Sequence, residues 1–305
     1  MLQSAAVAPD WPTWLVVNAA ARGAGEYPAW VDRLTGELNL TRHTLVGSPE
    51  EFRQMVAAAR EAGIRRLIVG GGDGTLSQAA DMLVRQPGPV LGVLPLGTGN
   101  TFFAGLHLPS RPAALAHVLA SGAIRPVDVG MAIHDGAERA FLNSVSLGVS
   151  SRLVQLLTAD AKRQLGLLAW PRHLGQALRA ADPVVVHLAY PDGHEIFLTR
   201  QLVIANGPNL AWRLRVRPEA EANDHRLEVF RLGAPSLWAM ARVAWRLLRG
   251  QLLREHQARY RSVQEVRVDT RPPVPVDLDG DLWLPTPLYC RVLPDALAVI
   301  GAATP

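Results

Sequence analysis

One cysteine, Cys290, and one lysine, Lys162, are all that the 305 residues hold of either type. A single cysteine excludes a disulfide framework and a thiolate zinc cluster, and a reducing, intracellular setting is the simplest reading. No apolar run reaches the roughly 18 residues that a membrane-spanning helix needs, so none is expected. The apolar stretch near the N-terminus has no basic residues ahead of it and is interrupted by Asp10 and Pro12, so no secretory leader is expected either. These absences together predict a cytoplasmic chain that meets lipid, if at all, from the surface of the inner membrane face. The glycine-rich Walker pattern ending in Gly-Lys-Ser/Thr is also missing, which excludes a P-loop kinase.

What is present is arginine. Apart from Lys162, all of the 31 basic residues are arginines, and against 27 acidic residues they leave a formal charge of +4. Arginine suits bidentate phosphate contacts. A mild positive balance fits anionic lipid, nucleotides and nucleic acid about equally and does not choose among them.

The pattern of elements divides the chain. Residues 14–18 read as a buried strand, 25–37 as a helix and 38–46 as a second strand. Ser48-Pro49-Glu50-Glu51 supplies an N-cap, a proline at the first helical position and two acids in the first turn, so a helix is expected to about Ala62, ending at Gly63. Strand 66–69, helix 76–85, strand 90–94 and helix 112–121 follow. Strands alternating with helices predict a parallel α/β sheet. Beyond Arg125-Pro126 the segments 127–133, 139–149, 184–190, 194–206, 226–232, 264–269, 274–279 and 288–300 are short and alternating, which predicts an antiparallel sandwich or barrel. Helical stretches near 151–180 and 235–260 interrupt it. The expected organisation is an α/β nucleotide-binding domain over 13–127, with 292–305 as a candidate completion, and a β-sandwich domain over 128–291.

Gly70-Gly71-Gly72-Asp73-Gly74-Thr75 lies between a buried strand and a helix. Glycines let the backbone approach a ligand without Cβ clashes, and amides at the following helix N-terminus suit phosphate oxygens. Asp73 can bind a ribose hydroxyl or hold magnesium. A plain tight turn is the competing reading. A second loop, Pro95-Leu96-Gly97-Thr98-Gly99-Asn100-Thr101-Phe102-Phe103-Ala104, follows the next strand. The pair of loops resembles the catalytic domain of diacylglycerol, sphingosine and ceramide kinases and of bacterial lipid kinases, and more remotely NAD kinases and phosphofructokinases. The Asn-Glu pair of NAD kinases is not found downstream of the second loop.

The resemblance covers nearly the whole chain. It implies an α/β nucleotide domain followed by a β-sandwich, with the site in the cleft between them and with ATP and magnesium as cofactors. It implies nucleotide contacts by Asn18, Thr44, Gly71, Gly72, Asp73, Gly74, Thr75, Gly97, Thr98, Gly99 and Asn100. Asp128, the segment Lys162-Arg163-Gln164-Leu165-Gly166 and the turn Ala205-Asn206-Gly207 match further family segments. In Asp277-Leu278-Asp279-Gly280-Asp281 the resemblance implies Asp279 as general base and Asp281 as a magnesium-linked carboxylate; on residue type alone, Asp-Gly is also a hairpin turn. Asp224 is implied as the side-chain ligand of a structural magnesium, against the alternative of an exposed Asp in an acidic turn. The chain departs from the family pattern in four places. Arg22 is displaced by one position, Thr101 stands where Asp is common, Asp281 where Glu is usual and His225 where Gly is usual.

Residues 236–254, read as a helix, carry Arg242, Arg246 and Arg249 as a stripe beside Trp238 and Trp245, with Met240, Ala244, Leu247 and Leu248 on an apolar face. That face suits a membrane headgroup region or a packed helix with its arginines in water. The expectation is an ATP-dependent lipid kinase acting on a diacylglycerol- or sphingoid-like hydroxyl. Peripheral membrane contact is expected and a nucleic-acid partner is not. The alternatives are a kinase of a soluble molecule such as NAD, and a catalytically weak nucleotide- or lipid-binding regulator.

Overall fold

A computed structural model describes residues 6–86, 88–156, 182–207, 209–211, 214–215, 223–232 and 258–302. The chain divides into two compact units, Met1–Val129 with Pro294–Pro305, and Gly130–Leu293.

In the first unit β1 (Thr13–Asn18), α1 (Tyr27–Glu37), β2 (Leu40–Val46), α2 (Pro49–Glu61), β3 (Arg66–Gly71), α3 (Asp73–Arg85) and β4 (Val90–Pro95) alternate, followed by α4 (Thr101–Gly105), α5 (Pro112–Ser121) and the first part of β5 (Ala123–His134). The sheet is parallel in the order β2-β1-β3-β4. Central strand β3 is buried at all six positions, and β1 at five of its six, as helix-covered parallel strands must be, while edge strand β2 is largely exposed. Ser48 caps α2 by accepting the Glu51 amide (3.2 Å), and Glu51 reaches back to the Gly47 amide (2.7 Å). Gly63 ends the turn after α2 in the left-handed region, with φ +65°.

The second unit continues through β6 (Ala137–Phe141), β7 (Ser144–Gly148), α6 (Val149–Leu156), β8 (Val184–Tyr190), β9 (Gly193–Thr199), β10 (Gln201–Asn206), β11 (Asn209–Ala211), β12 (Leu214–Arg215), β13 (Leu227–Leu232), β14 (Ala258–Val263), β15 (Glu265–Arg271), β16 (Val276–Leu278) and β17 (Asp281–Leu282), and takes in the start of β18 (Leu288–Gly301). One antiparallel sheet runs β14-β13-β10-β7-β16-β17, and β18-β15-β8-β9 is also antiparallel. Inward residues of both sets, among them Leu147, Ile204, Val229, Val186, Leu188, Val266 and Val268, share one buried cluster. That is the sandwich arrangement. The far end of β18 returns to the first unit, where Val299 pairs with Leu91 in parallel.

Several boundaries differ from the sequence pattern. Helix α3 starts at Asp73 rather than Leu76, because the Thr75 and Leu76 amides already bond to the Gly72 carbonyl (3.0 and 3.1 Å). Segments 139–149 and 194–206 are each two strands. The supposed helix over 235–260 gives way to β14 at Ala258, which pairs with β13. The remainder of that stretch, the tryptophan–arginine face of 236–254, the helix expected beyond Leu156 and Lys162-Arg163-Gln164-Leu165-Gly166 lie outside the described residues. Among the described residues no helix is long and apolar enough to cross a membrane.

Candidate active site

The connection from β1 runs to β2 on one side, and β3 and β4 lie on the other. The crevice beyond the carboxyl ends of β1 and β3 is therefore a topological switch point, where open α/β sheets bind ligands. Three loops meet there. Asn18, the last residue of β1, donates its side-chain amide to Thr75 Oγ1 (2.9 Å) and accepts the Ala20 amide on Oδ1 (2.9 Å). The Gly23 amide bonds to the Leu96 carbonyl (2.8 Å), and the Leu96 amide to the Gly71 carbonyl (3.1 Å).

The glycines are demanded by this packing. A Cβ on Gly71 would stand 2.6 Å from Thr75 Cβ, and one on Gly97 would collide with Gly72 Cα. Gly72, Gly74, Gly97, Thr98 and Gly99 remain partly exposed. The backbone of both loops is thus reachable from solvent, and α3 offers its N-terminal amides beside it.

Asp73 ties the two loops together. Its Oδ2 accepts the Thr101 amide (3.0 Å) and its Oδ1 the Phe102 amide (3.0 Å), so the first loop caps the helix that leaves the second. Asn100 also works within the protein. It sits in the left-handed region with φ +51°, accepts the Gly97 amide on Oδ1 (2.9 Å) and donates to the Gly97 and Pro95 carbonyls (2.9 and 3.2 Å). Thr101 is buried, in the place where the family pattern has a carboxylate. Thr44 lies on β2 opposite Val16, two residues short of the strand's end, and Arg22 is exposed.

In the second unit Asp279 (φ +52°) and Gly280 (φ +89°) form the two-residue turn between β16 and β17, so the hairpin reading of Asp-Gly is correct as far as the backbone goes. The side chain does something a turn does not need. Asp279 Oδ2 accepts the Leu142 amide (2.7 Å), and Oδ1 accepts those of Asn143 (2.9 Å) and Ser144 (2.8 Å). The carboxylate is held in one orientation by the link between β6 and β7. Asn206 supports that link from β10: its side chain donates to the Leu142 carbonyl (3.1 Å) and its backbone amide to the Asn143 carbonyl (2.8 Å). Asp277 braces the turn, accepting the Gly280 amide (2.8 Å) and the Ser146 hydroxyl (3.1 Å).

Asp281 is exposed and pairs with Arg139 Nη2 at 3.1 Å. Asp224 accepts the Arg226 amide (3.1 Å) two residues on, beside His225 at φ +59°. Asp128 is buried on β5 and accepts the Asp295 amide (2.9 Å). Sequence reasoning missed Arg139, the amides of Leu142, Asn143 and Ser144, and the supporting role of Asn206. An Asn-Ser pair breaking an alternating segment was the available signal.

The diacylglycerol kinase catalytic domain pattern matches residues 12–132, and that of the YegS C-terminal NAD kinase beta sandwich-like domain matches 143–301. A Chromohalobacter salexigens protein named "Probable lipid kinase YegS-like" is 32% identical over 227 residues, covering 72% of this chain and 70% of the relative. The "Diacylglycerol kinase" of Bacillus subtilis is 28% identical over 233 residues, covering 73% and 74%. Among solved structures, a diacylglycerol kinase from Bacillus anthracis shares the fold at TM-score 0.70 with 18% identity, over 95% of this chain and 96% of that one. Yeast NADH kinase shares it more loosely, at TM-score 0.51 and 9% identity, over 97% and 84%. The paired glycine loops and the sandwich that follows them are those of a known group, and this chain belongs to the diacylglycerol kinase/YegS-like family of lipid kinases.

Proposed function

We propose that the protein transfers the γ-phosphoryl group of ATP to the hydroxyl of a diacylglycerol- or sphingoid-like lipid. The observation that carries this reading is the pair of glycine loops at the switch point, locked to each other by Asp73. Their partly exposed backbone at Gly72–Gly74 and at Thr98–Gly99 suits the phosphate chain of a nucleotide, and a side chain at Gly71 or Gly97 would break the cradle.

Asp279 is the residue we assign to take the proton from the acceptor hydroxyl. Its three amide contacts fix its orientation, and a positioned base needs that before anything else. The hydroxyl oxygen attacks the γ-phosphorus, the bond to the bridging oxygen breaks, and ADP departs. Magnesium, when bound, neutralises charge on the phosphates. Carboxylate oxygens suit such a cation, and exposed Asp281 would hold it beside Arg139. Asp224 is assigned no step.

Labelled phosphate transfer from ATP to a panel of lipids in mixed micelles tests the reading, with NAD as the soluble competitor and Asp279→Asn as control. A lipid-soluble product that falls by a factor of about a hundred or more in the variant is the expected result. Labelled NADP in its place would favour the alternative suggested by the fold shared with yeast NADH kinase. Nucleotide binding without any labelled product would leave a regulator.

A further inference from the structure

The outer face of the β8–β9 hairpin is built the wrong way round for a strand pair facing water. Strand alternation sends Val186, Leu188 and Tyr190 into the core of the second unit. The alternate positions, normally polar in such a sheet, carry Val185 on β8 and Ile196 and Leu198 on β9. Ile196 and Leu198 are each 59% exposed and Val185 37%. The register puts Val185 directly across from Leu198, with Ile196 one position along the same face, so the three form one patch. Half of the exposed large aliphatics among the described residues are gathered here. Exposed aliphatics scattered singly need no explanation, but a contiguous group does.

The neighbours on the same face say what would cover it. One strand further in, Arg271 stands opposite Val185 and Arg267 opposite Ala189, both exposed. Between them Asp269, the carboxylate of this stretch of β15, faces His187. The face is thus an aliphatic edge backed by two guanidinium groups and one carboxylate. β9 is also the last strand of its sheet. A second copy could in principle pair with that edge, but Glu195 of β9 is engaged by Arg231 (3.0 Å) and Arg261 (3.7 Å) on the opposite face. An inward-pointing charge is a device that blunts edge pairing.

We propose that this face docks on an anionic lipid surface, with Ile196, Leu198 and Val185 entering the headgroup–acyl boundary and Arg267 and Arg271 meeting lipid phosphates. The relevance of a bilayer rests on the lipid-kinase reading above. The binding itself does not.

Flotation of the full chain with vesicles of phosphatidylcholine mixed with phosphatidylglycerol is the test. The Ile196→Ser/Leu198→Ser protein should float about tenfold or more weakly than the parent, with its melting temperature and its phosphorylation of a short-chain diacylglycerol free in solution unchanged. Arg267→Gln/Arg271→Gln should lose about thirtyfold on the anionic vesicles and little on pure phosphatidylcholine. Parental flotation by both variants would overturn the proposal, as would a parent that does not float. So would a dimer that the aliphatic variant splits in sedimentation, since a second copy would then own the face. If no acceptor is phosphorylated by any of these proteins, the catalytic reading fails while flotation still decides the docking face.

Discussion

Both oxygens of Asp73 are occupied by amides of the other glycine loop, 28 and 29 residues away. Residue type at that position reads as a ribose or metal contact; the fold makes it first a clamp on the Thr101–Phe102 backbone. Asp73→Asn would turn one acceptor into a donor facing an N–H group. Loss of one charge-assisted hydrogen bond is worth about 2 kcal/mol of stability, and ATP affinity should fall by at most about thirtyfold, the limit reached where ordering the loops is left wholly to the nucleotide. Isothermal titration against ATP checks this, and an unchanged Kd would mean that the clamp does not shape the cradle. The Gly-Gly-Asp-Gly-Thr run was legible as a tight loop between a buried strand and a helix because glycine chemistry is local. The destination of the Asp73 side chain was not, because no local pattern reports a partner that far along the chain. The same holds for Asp279, whose amide partners lie 135 to 137 residues upstream.

Elements whose ends are set by local chemistry were read closely from the sequence. Helix α2 starts after Ser48 because that side chain and Glu51 satisfy amides at its opening turn. Ser48→Ala should cost about 1 kcal/mol in a urea melt, with little effect on kinase activity. A larger loss would point to a role for Ser48 beyond the cap. Where the chain departs from its pattern, tertiary hydrogen bonds compete with the ladder. The alternation over 139–149 promises one strand, yet it breaks at Leu142–Asn143, where Asp279 takes the amides and Asn206 bonds to the carbonyls. The segment over 194–206 breaks at Arg200, whose carbonyl accepts the Val149 amide. β14 escaped notice because Ala-Arg-Tyr-Arg-Ser-Val follows a stretch with helical spacing, and only its pairing with β13 makes it a strand.

Each of the two units has a buried interior of its own, and nucleotide binding is assigned to the first. Hydrogen exchange reads this directly. Saturating Mg-ATP should slow exchange of the amides over 72–74 and 97–102, by up to about a hundredfold at about a hundred times Kd, and leave the fully buried strand β10 unchanged. Protection confined to the second unit would displace the nucleotide from the switch point. The sequence by itself determined the alternation of strands and helices before residue 122, most of the short strand segments after it, the two glycine loops and the family they resemble, because periodicity and glycine steric freedom act over a few residues. Tertiary structure alone decided that Asp73 and Asn100 serve the loops, that Asp279 is held by the β6–β7 link, and that Val185, Ile196 and Leu198 form one exposed patch. Those relations are made by strand register and chain return, and bring together residues that no local spacing connects.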